Sequence, residues 1–160
     1  MSGPRLLLLA VVVAPLLFVA PASPQLLPRN RSQAGPKPEP IAETKLLMEG
    51  LLQANVRGLE KNLAQPPTDQ DTWAFVRGQS LLIAETGNLL MLRPPRLEGQ
   101  DAWLAAAAEL REKATAIARS AAARDADGCR RGLVTLAGTC NRCHQTFRVK
   151  VQVTPFAPAP

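Results

Sequence analysis

Five consecutive residues near the carboxyl end, Cys140-Asn141-Arg142-Cys143-His144, have types and a spacing that can do chemistry. Two thiols three residues apart lie on one face of a helix, and the imidazole that follows rises from the same face. The pattern C-x-x-C-H is typical of c-type haem attachment, in which each thiol forms a thioether with a vinyl group and the histidine binds iron. We therefore predict one covalent haem c, held by Cys140, Cys143 and His144.

The chain has three cysteines and one histidine, which limits the other chemistries open to this motif. A structural zinc ion needs four ligands, and only one further thiol, Cys129, is present. A thioredoxin-like redox pair is expected beside a βαβ pattern, which the sequence lacks. Cys129 is interpreted as a small buried residue at the start of the last helix, with a disulfide between two chains as the alternative.

The elements that must position the motif are helices, because apolar residues recur at spacings of three and four from Ile41 onward. We expect the second helix to begin near Thr68, which forms a capping pair with Asp71. Trp73 and Trp103 are expected to open the two middle helices and to seal the bundle end. The expected ranges are 41–64, 68–91, 100–121 and, after the turn at 125–128, a last helix that frays over 147–153, with a short extended tail as the alternative there. Short connections between these helices predict an all-α fold, an antiparallel up-down-up-down four-helix bundle. The motif on the last helix adds a covalently bound haem to this expectation.

The stretch from Cys140 to Arg148 resembles the ending of the class II cytochromes c, the cytochrome c′-like four-helix bundles, which reads C-x-x-C-H-x-x-(Tyr/Phe)-Arg. The resemblance covers roughly Pro40 to Val151, and outside the haem motif it rests on the helix layout. It implies that Phe147 packs near the haem edge and that Arg148 approaches a propionate. The alternatives are ordinary core packing for Phe147 and a solvated charge for Arg148.

The sixth position on the iron decides between functions, and His144, the only histidine, cannot fill it. Met48 lies on the apolar stripe of the first helix, and the resemblance implies a first-helix methionine as the sixth ligand. Met91, at the end of the second helix, is its competitor, and a lysine or a vacant or blocked position stays open, since methionines are commonly core filler. Six-coordinate relatives carry an arginine one turn earlier, where this chain has Thr44 beside Lys45.

The two ends of the chain indicate export. Arg5 precedes an apolar run from Leu6 to Ala20 that ends in a small-x-small site at Ala22, so residues 1–22 are predicted to be a signal peptide, with an uncleaved anchor as the alternative. Residues 23–39 are predicted to be a Pro-rich flexible linker, 40–154 the cytochrome bundle and 155–160 a disordered tail. The expected location is the periplasm, reached by secretion across the inner membrane.

The charge distribution and the single histidine narrow the function. The net charge is +6, yet no Lys/Arg run exceeds two residues and no aromatic residues are interleaved with them, which excludes a nucleic-acid-binding surface. A histidine committed to iron leaves no acid–base constellation, so we predict a periplasmic monohaem electron carrier rather than an enzyme. Its partners are expected to be redox proteins, with membrane contact only through an uncleaved signal. A five-coordinate haem that binds NO or CO, a haem subunit of a larger redox enzyme, and a homodimer stay open.

Overall fold

The structure, a computed structural model, describes residues 35–157. The predicted signal peptide, the linker up to residue 34 and the last residues of the predicted tail, 158–160, lie outside the described residues. Residues 35–39 at the end of the linker are exposed and have no regular structure.

Four helices account for the regular structure of residues 35–157, which contain no β-strand, as the sequence predicted. Helix α1 spans 44–62 and is α-helical at Thr44–Leu47 and Gln53–Asn62, with a π-helical turn, Met48–Leu52, between them. Helices α2, α3 and α4 are Gln70–Met91, Gln100–Ala122 and Ala126–Thr146. None of these four is long and apolar enough to cross a bilayer.

Contacts between neighbouring helices establish the antiparallel order. The end of α2 meets the start of α3, where the Trp103 indole Nε1–H donates to the Leu90 carbonyl at 2.7 Å. Further along, α2 and α3 approach so closely that a Cβ on Gly87 would lie 2.8 Å from the Ala107 carbonyl oxygen. Because consecutive helices run in opposite directions, Trp73 and Trp103, in the first turns of α2 and α3, lie at opposite ends of the bundle. The expectation that they seal one end together is therefore wrong.

Helices α2 and α4 each begin after a capping aspartate, whereas α3 begins at Gln100, as expected. Asp69 accepts a hydrogen bond from the Thr72 backbone N–H at 2.7 Å, so it, and not Thr68, is the N-cap of α2. Asp125 accepts from the Gly128 backbone N–H at 2.8 Å and caps α4. The predicted turn at 125–128 is thus a capping residue followed by the first helical turn, because a carboxylate satisfies an amide that would otherwise have no partner.

Helix α4 ends at Thr146, and the predicted fraying over 147–153 is wrong; the chain turns back in an irregular segment. The Arg148 N–H donates to the Gln145 carbonyl at 3.2 Å, and the Val149 N–H to the His144 carbonyl at 2.8 Å. This pair of bonds is a Schellman motif, in which the residue after the C-cap is left-handed. That residue is Arg148, with a φ of 56°.

The segment after Arg148 runs back along α4 and reaches α1. The Phe156 backbone N–H donates to the Glu60 carboxylate at 3.1 Å, and the Arg130 guanidinium lies 4.2 Å from the centroid of the Phe156 ring. The disorder predicted from Pro155 onward therefore does not hold for Pro155 and Phe156, which form a turn packed against the bundle.

Arg148 is strained, and we expect Arg148→Gly to stabilise the fold. A left-handed conformation costs an L-residue about 1–2 kcal/mol, while glycine adopts it freely but loses more backbone entropy on folding. The Gly variant should exceed a matched Arg148→Ala variant by about 1 kcal/mol in free energy of unfolding, measured by urea denaturation. Equal stabilities of the two variants would show that the turn carries no strain.

Cys129 is fully buried at the start of α4, with its Sγ 3.7 Å from the Ile117 carbonyl oxygen. Burial raises the pKa of this thiol to about 11, and the nearby Asp125 carboxylate adds to the shift. The structure thus places Cys129 in the core of this chain, as the first of the two interpretations expects.

This burial gives a prediction for the alkaline range. The unfolded thiol ionises near pH 9 and the folded one near pH 11, so the unfolded state releases its proton first and stability falls as pH rises between these values. The free energy of unfolding should fall by about 2 kcal/mol by pH 11. The free energies of unfolding of the native chain and of Cys129→Ala, taken from denaturation curves between pH 8 and 11, should diverge by that amount as the pH rises. Parallel curves would mean that the thiol ionises at the same pH in the folded and unfolded states.

Candidate haem site

One cavity in the described part of the chain brings the predicted chemistry together. It is partly open to solvent. All four helices line it: Met48 and Leu52 from α1, Leu90 from α2, Trp103, Ala106, Ala107 and Leu110 from α3, and Thr139, Cys140, Cys143 and His144 from α4. The lining is mainly apolar, as a cofactor pocket requires.

The cavity lies where the bundle is least closed. The backbone of α1 packs against α2, α2 against α3, and α3 against α4, whereas the backbones of α1 and α4 are farther apart and are bridged by side chains such as Arg130, which donates to the Leu63 carbonyl at the end of α1. Met48 on α1 and His144 on α4 nevertheless border the same space. The lining thus brings a thioether sulfur from α1 and an imidazole from α4 to one apolar space, and this set of donor atoms suits a haem iron.

The two thiols of the motif border this cavity from α4. Cys140 is buried, with 7% of its surface exposed, and Cys143 is half-buried. Burial raises the pKa of Cys140 to about 11, and the pKa of Cys143 is raised for the same reason. Both are therefore neutral thiols at physiological pH, and they form no disulfide with each other. They fit the thiols that thioether bonds to a haem require.

His144 is held in one orientation by the segment that follows α4. Its Nδ1 lies 2.8 Å from the Val151 carbonyl oxygen. A carbonyl can only accept, so Nδ1 carries the proton and donates it. In the neutral imidazole, Nε2 then keeps its free lone pair, which is the state required of a histidine that binds a metal.

Met48 is the first residue of the π-helical turn in α1 and is half-buried against the core. A π-helical turn admits one extra residue and is often found at functional sites. Met91 also packs against the core but is not among the residues that line the cavity. Of the two competing methionines, the structure brings only Met48 to the same space as the thiols and the imidazole.

The other two predicted residues lie just outside this space. Phe147 is half-buried and packs edge-to-face on Trp103, with ring centroids 5.1 Å apart; the indole lines the cavity and Phe147 does not. Arg148 is exposed, and its guanidinium makes no hydrogen bond or ion pair with the described residues. A direct contact of either side chain with haem stays a prediction.

Several residues of the site were missed by the sequence analysis. Trp103 is fixed by its bond to Leu90, and the alanines 105–108 leave room on α3 beside it. Thr139 donates to the Glu109 carboxylate at 3.1 Å, and Arg142 pairs with the same carboxylate, which joins α3 to α4 beside the cavity. The run of four alanines is the one signal that could have indicated a space opposite the motif.

Comparisons of the chain with protein-family profiles, with curated proteins and with solved structures give no match. Within residues 35–157, no three His, Cys, Asp or Glu side chains come together to hold a metal ion by themselves.

Proposed function

We propose that the chain is an exported monohaem c-type cytochrome that carries single electrons. The observation that supports this most is the cavity, because it joins two neutral thiols, an imidazole with a free Nε2 and a methionine sulfur in one apolar space. The motif and the helix layout that resemble class II cytochromes c agree with it, as does the signal-like start of the sequence.

Each residue of the site has a separate task in this proposal. Cys140 and Cys143 would hold a haem by adding their S–H bonds across its two vinyl groups, an addition that needs no oxidant. His144 would present Nε2 to the iron, and Met48, which lines the same cavity, would offer its sulfur as a second protein ligand. Haem bound in this way supplies one reversible electron, and a methionine as sixth ligand raises its reduction potential.

The remaining residues of the cavity exclude water rather than convert a substrate. Leu52, Leu90 and Leu110 are apolar, and the Trp103 N–H and the Thr139 hydroxyl are already bonded to protein acceptors. General acid–base catalysis needs a titratable group within hydrogen-bond reach of a substrate. Beyond the thiols and His144, the lining offers none, which supports electron transfer over turnover.

The test is to produce the full chain in an exporting host that has a cytochrome c maturation system. We expect the colour to stay with the polypeptide after acid-acetone extraction, the intact mass to include one haem, and a redox titration to fit one electron. The N-terminus of the exported protein should lie near Ser23. Haem that extracts freely would overturn the proposal, and recovery of intact Met1 in the membrane fraction would indicate an anchor instead.

A further inference from the structure

The segment after α4 is joined to the haem motif by three hydrogen bonds. The Val151 carbonyl accepts from His144 Nδ1 at 2.8 Å. Two residues later, the Val153 N–H donates to Asn141 Oδ1 at 2.8 Å, and Asn141 Nδ2 donates to the Val153 carbonyl at 2.9 Å. The Asn141 amide thus pairs with both backbone groups of Val153, as a neighbouring strand would, and it turns this part of the segment toward α4.

No other hydrogen bond in the described part of the chain holds the middle of this segment. Its first end is fixed by the Schellman motif at Arg148, and its far end by the bond from Phe156 to Glu60. Val149 and Val151 are about half exposed, at 46% and 51%, and of the three valines only Val153 packs against the core. The position of the Val151 carbonyl therefore depends on how Val153 is held, and the Asn141 amide supplies both hydrogen bonds to the Val153 backbone.

We propose that Asn141 is a positioning residue for His144. It holds the Val151 carbonyl against Nδ1, which fixes the tautomer and the ring orientation and makes Nε2 a stronger donor to the iron. Haem attachment itself leaves this position of the C-x-x-C-H motif unspecified, so the role is an additional one. The inference rests on the proposed function where it concerns the iron, and on the hydrogen bonds alone where it concerns the imidazole.

The expected effect on the iron follows from the electron density that the imidazole donates to it. A hydrogen bond from Nδ1–H to a carbonyl raises ligand basicity, which favours the ferric state. Loss of that bond should therefore raise the reduction potential. Changes in such supporting contacts commonly alter metal-site equilibria by tenfold or more, and tenfold corresponds to about 59 mV for a one-electron couple.

The test compares Asn141→Ala with Gln145→Ala in the full-length protein. Gln145 is an exposed amide four residues further along α4 whose side chain makes no hydrogen bond with the described residues, so its removal controls for the loss of an amide at this end of the helix. The chain has one histidine, so its ring signals in a ¹H–¹⁵N spectrum are unambiguous. Asn141→Asp keeps the acceptor for the Val153 N–H but loses the donor. Its exchange rates should lie between those of the native protein and of Asn141→Ala.

In the native protein we expect the Nδ1–H tautomer, slow exchange of that proton and a protected Val153 amide. Asn141→Ala should speed both exchanges at least tenfold and raise the potential by about 59 mV, whereas Gln145→Ala should change neither. If haem is attached and the two variants behave alike, the role of Asn141 is overturned while the proposed function stands. If the protein takes up no haem, the proposed function fails, and the exchange rates still decide whether Asn141 positions the imidazole.

Discussion

Replacing both motif cysteines, Cys140→Ala with Cys143→Ala, should yield a full-length chain without covalent haem. Both thiols border the same cavity from one face of α4, and no third thiol lines that space. Cys129 gives a matched control, because it lies on the same helix but is buried apart from the cavity against Ile117. Cys129→Ala should keep its haem through acid-acetone extraction, and the double variant should lose all of it.

The double variant should also lose helical structure. The backbones of α1 and α4 are farther apart than those of the other neighbouring helices, and the cavity that both helices line is a gap in the packing unless a cofactor fills it. Cavities in protein cores destabilise in proportion to their volume. Far-ultraviolet circular dichroism should be clearly weaker and thermal unfolding should occur at lower temperature than in Cys129→Ala. A haem-free protein as helical and as heat-stable as that control would show that the bundle closes without haem.

The number and order of the helices could be predicted from the sequence, because apolar spacing specifies them over many residues and proline pairs mark two of the three connections. Their ends could not be predicted to the residue, because short-range competition decides them. Thr68 and Asp69 are both good capping residues, and only the fold shows that Asp69 reaches the Thr72 amide. Arg148 adopts a conformation usually left to glycine, so nothing in the residue type marked the turn that ends α4.

The candidate site, too, could be predicted only in part from the sequence. Cys140, Cys143 and His144 could be found because five consecutive residues carry the pattern. The acceptor for His144 and the position of Trp103 could not be predicted. Each depends on a hydrogen bond to a residue outside its own helix, Val151 for His144 and Leu90 for Trp103. The π-helical turn at Met48 was also unforeseen, since an apolar stripe with regular spacing gives no sign of an inserted residue.

Met48→Leu should convert the iron to a high-spin form, lower its reduction potential and open the site to carbon monoxide. Leucine fills nearly the same volume as methionine, so this variant removes the sulfur with little loss of packing. Met48→Ala should do the same with a larger loss of stability, because Met48 packs against the core. A methionine as sixth ligand favours ferrous iron and leaves no open position for a gas, which is why its loss moves both properties together.

The control is Met91→Leu, since Met91 also packs against the core but does not line the cavity. Its absorption spectrum, potential and response to carbon monoxide should match those of the native protein, which we expect to be low-spin, with a weak charge-transfer band at the red end of its oxidised spectrum. The two readings of the site then separate in the native protein itself. If that protein is already high-spin and binds carbon monoxide, Met48 belongs only to the wall of the cavity. The same cavity between α1 and α4 would then hold a five-coordinate haem that binds gases, and electron transfer would not be its main task.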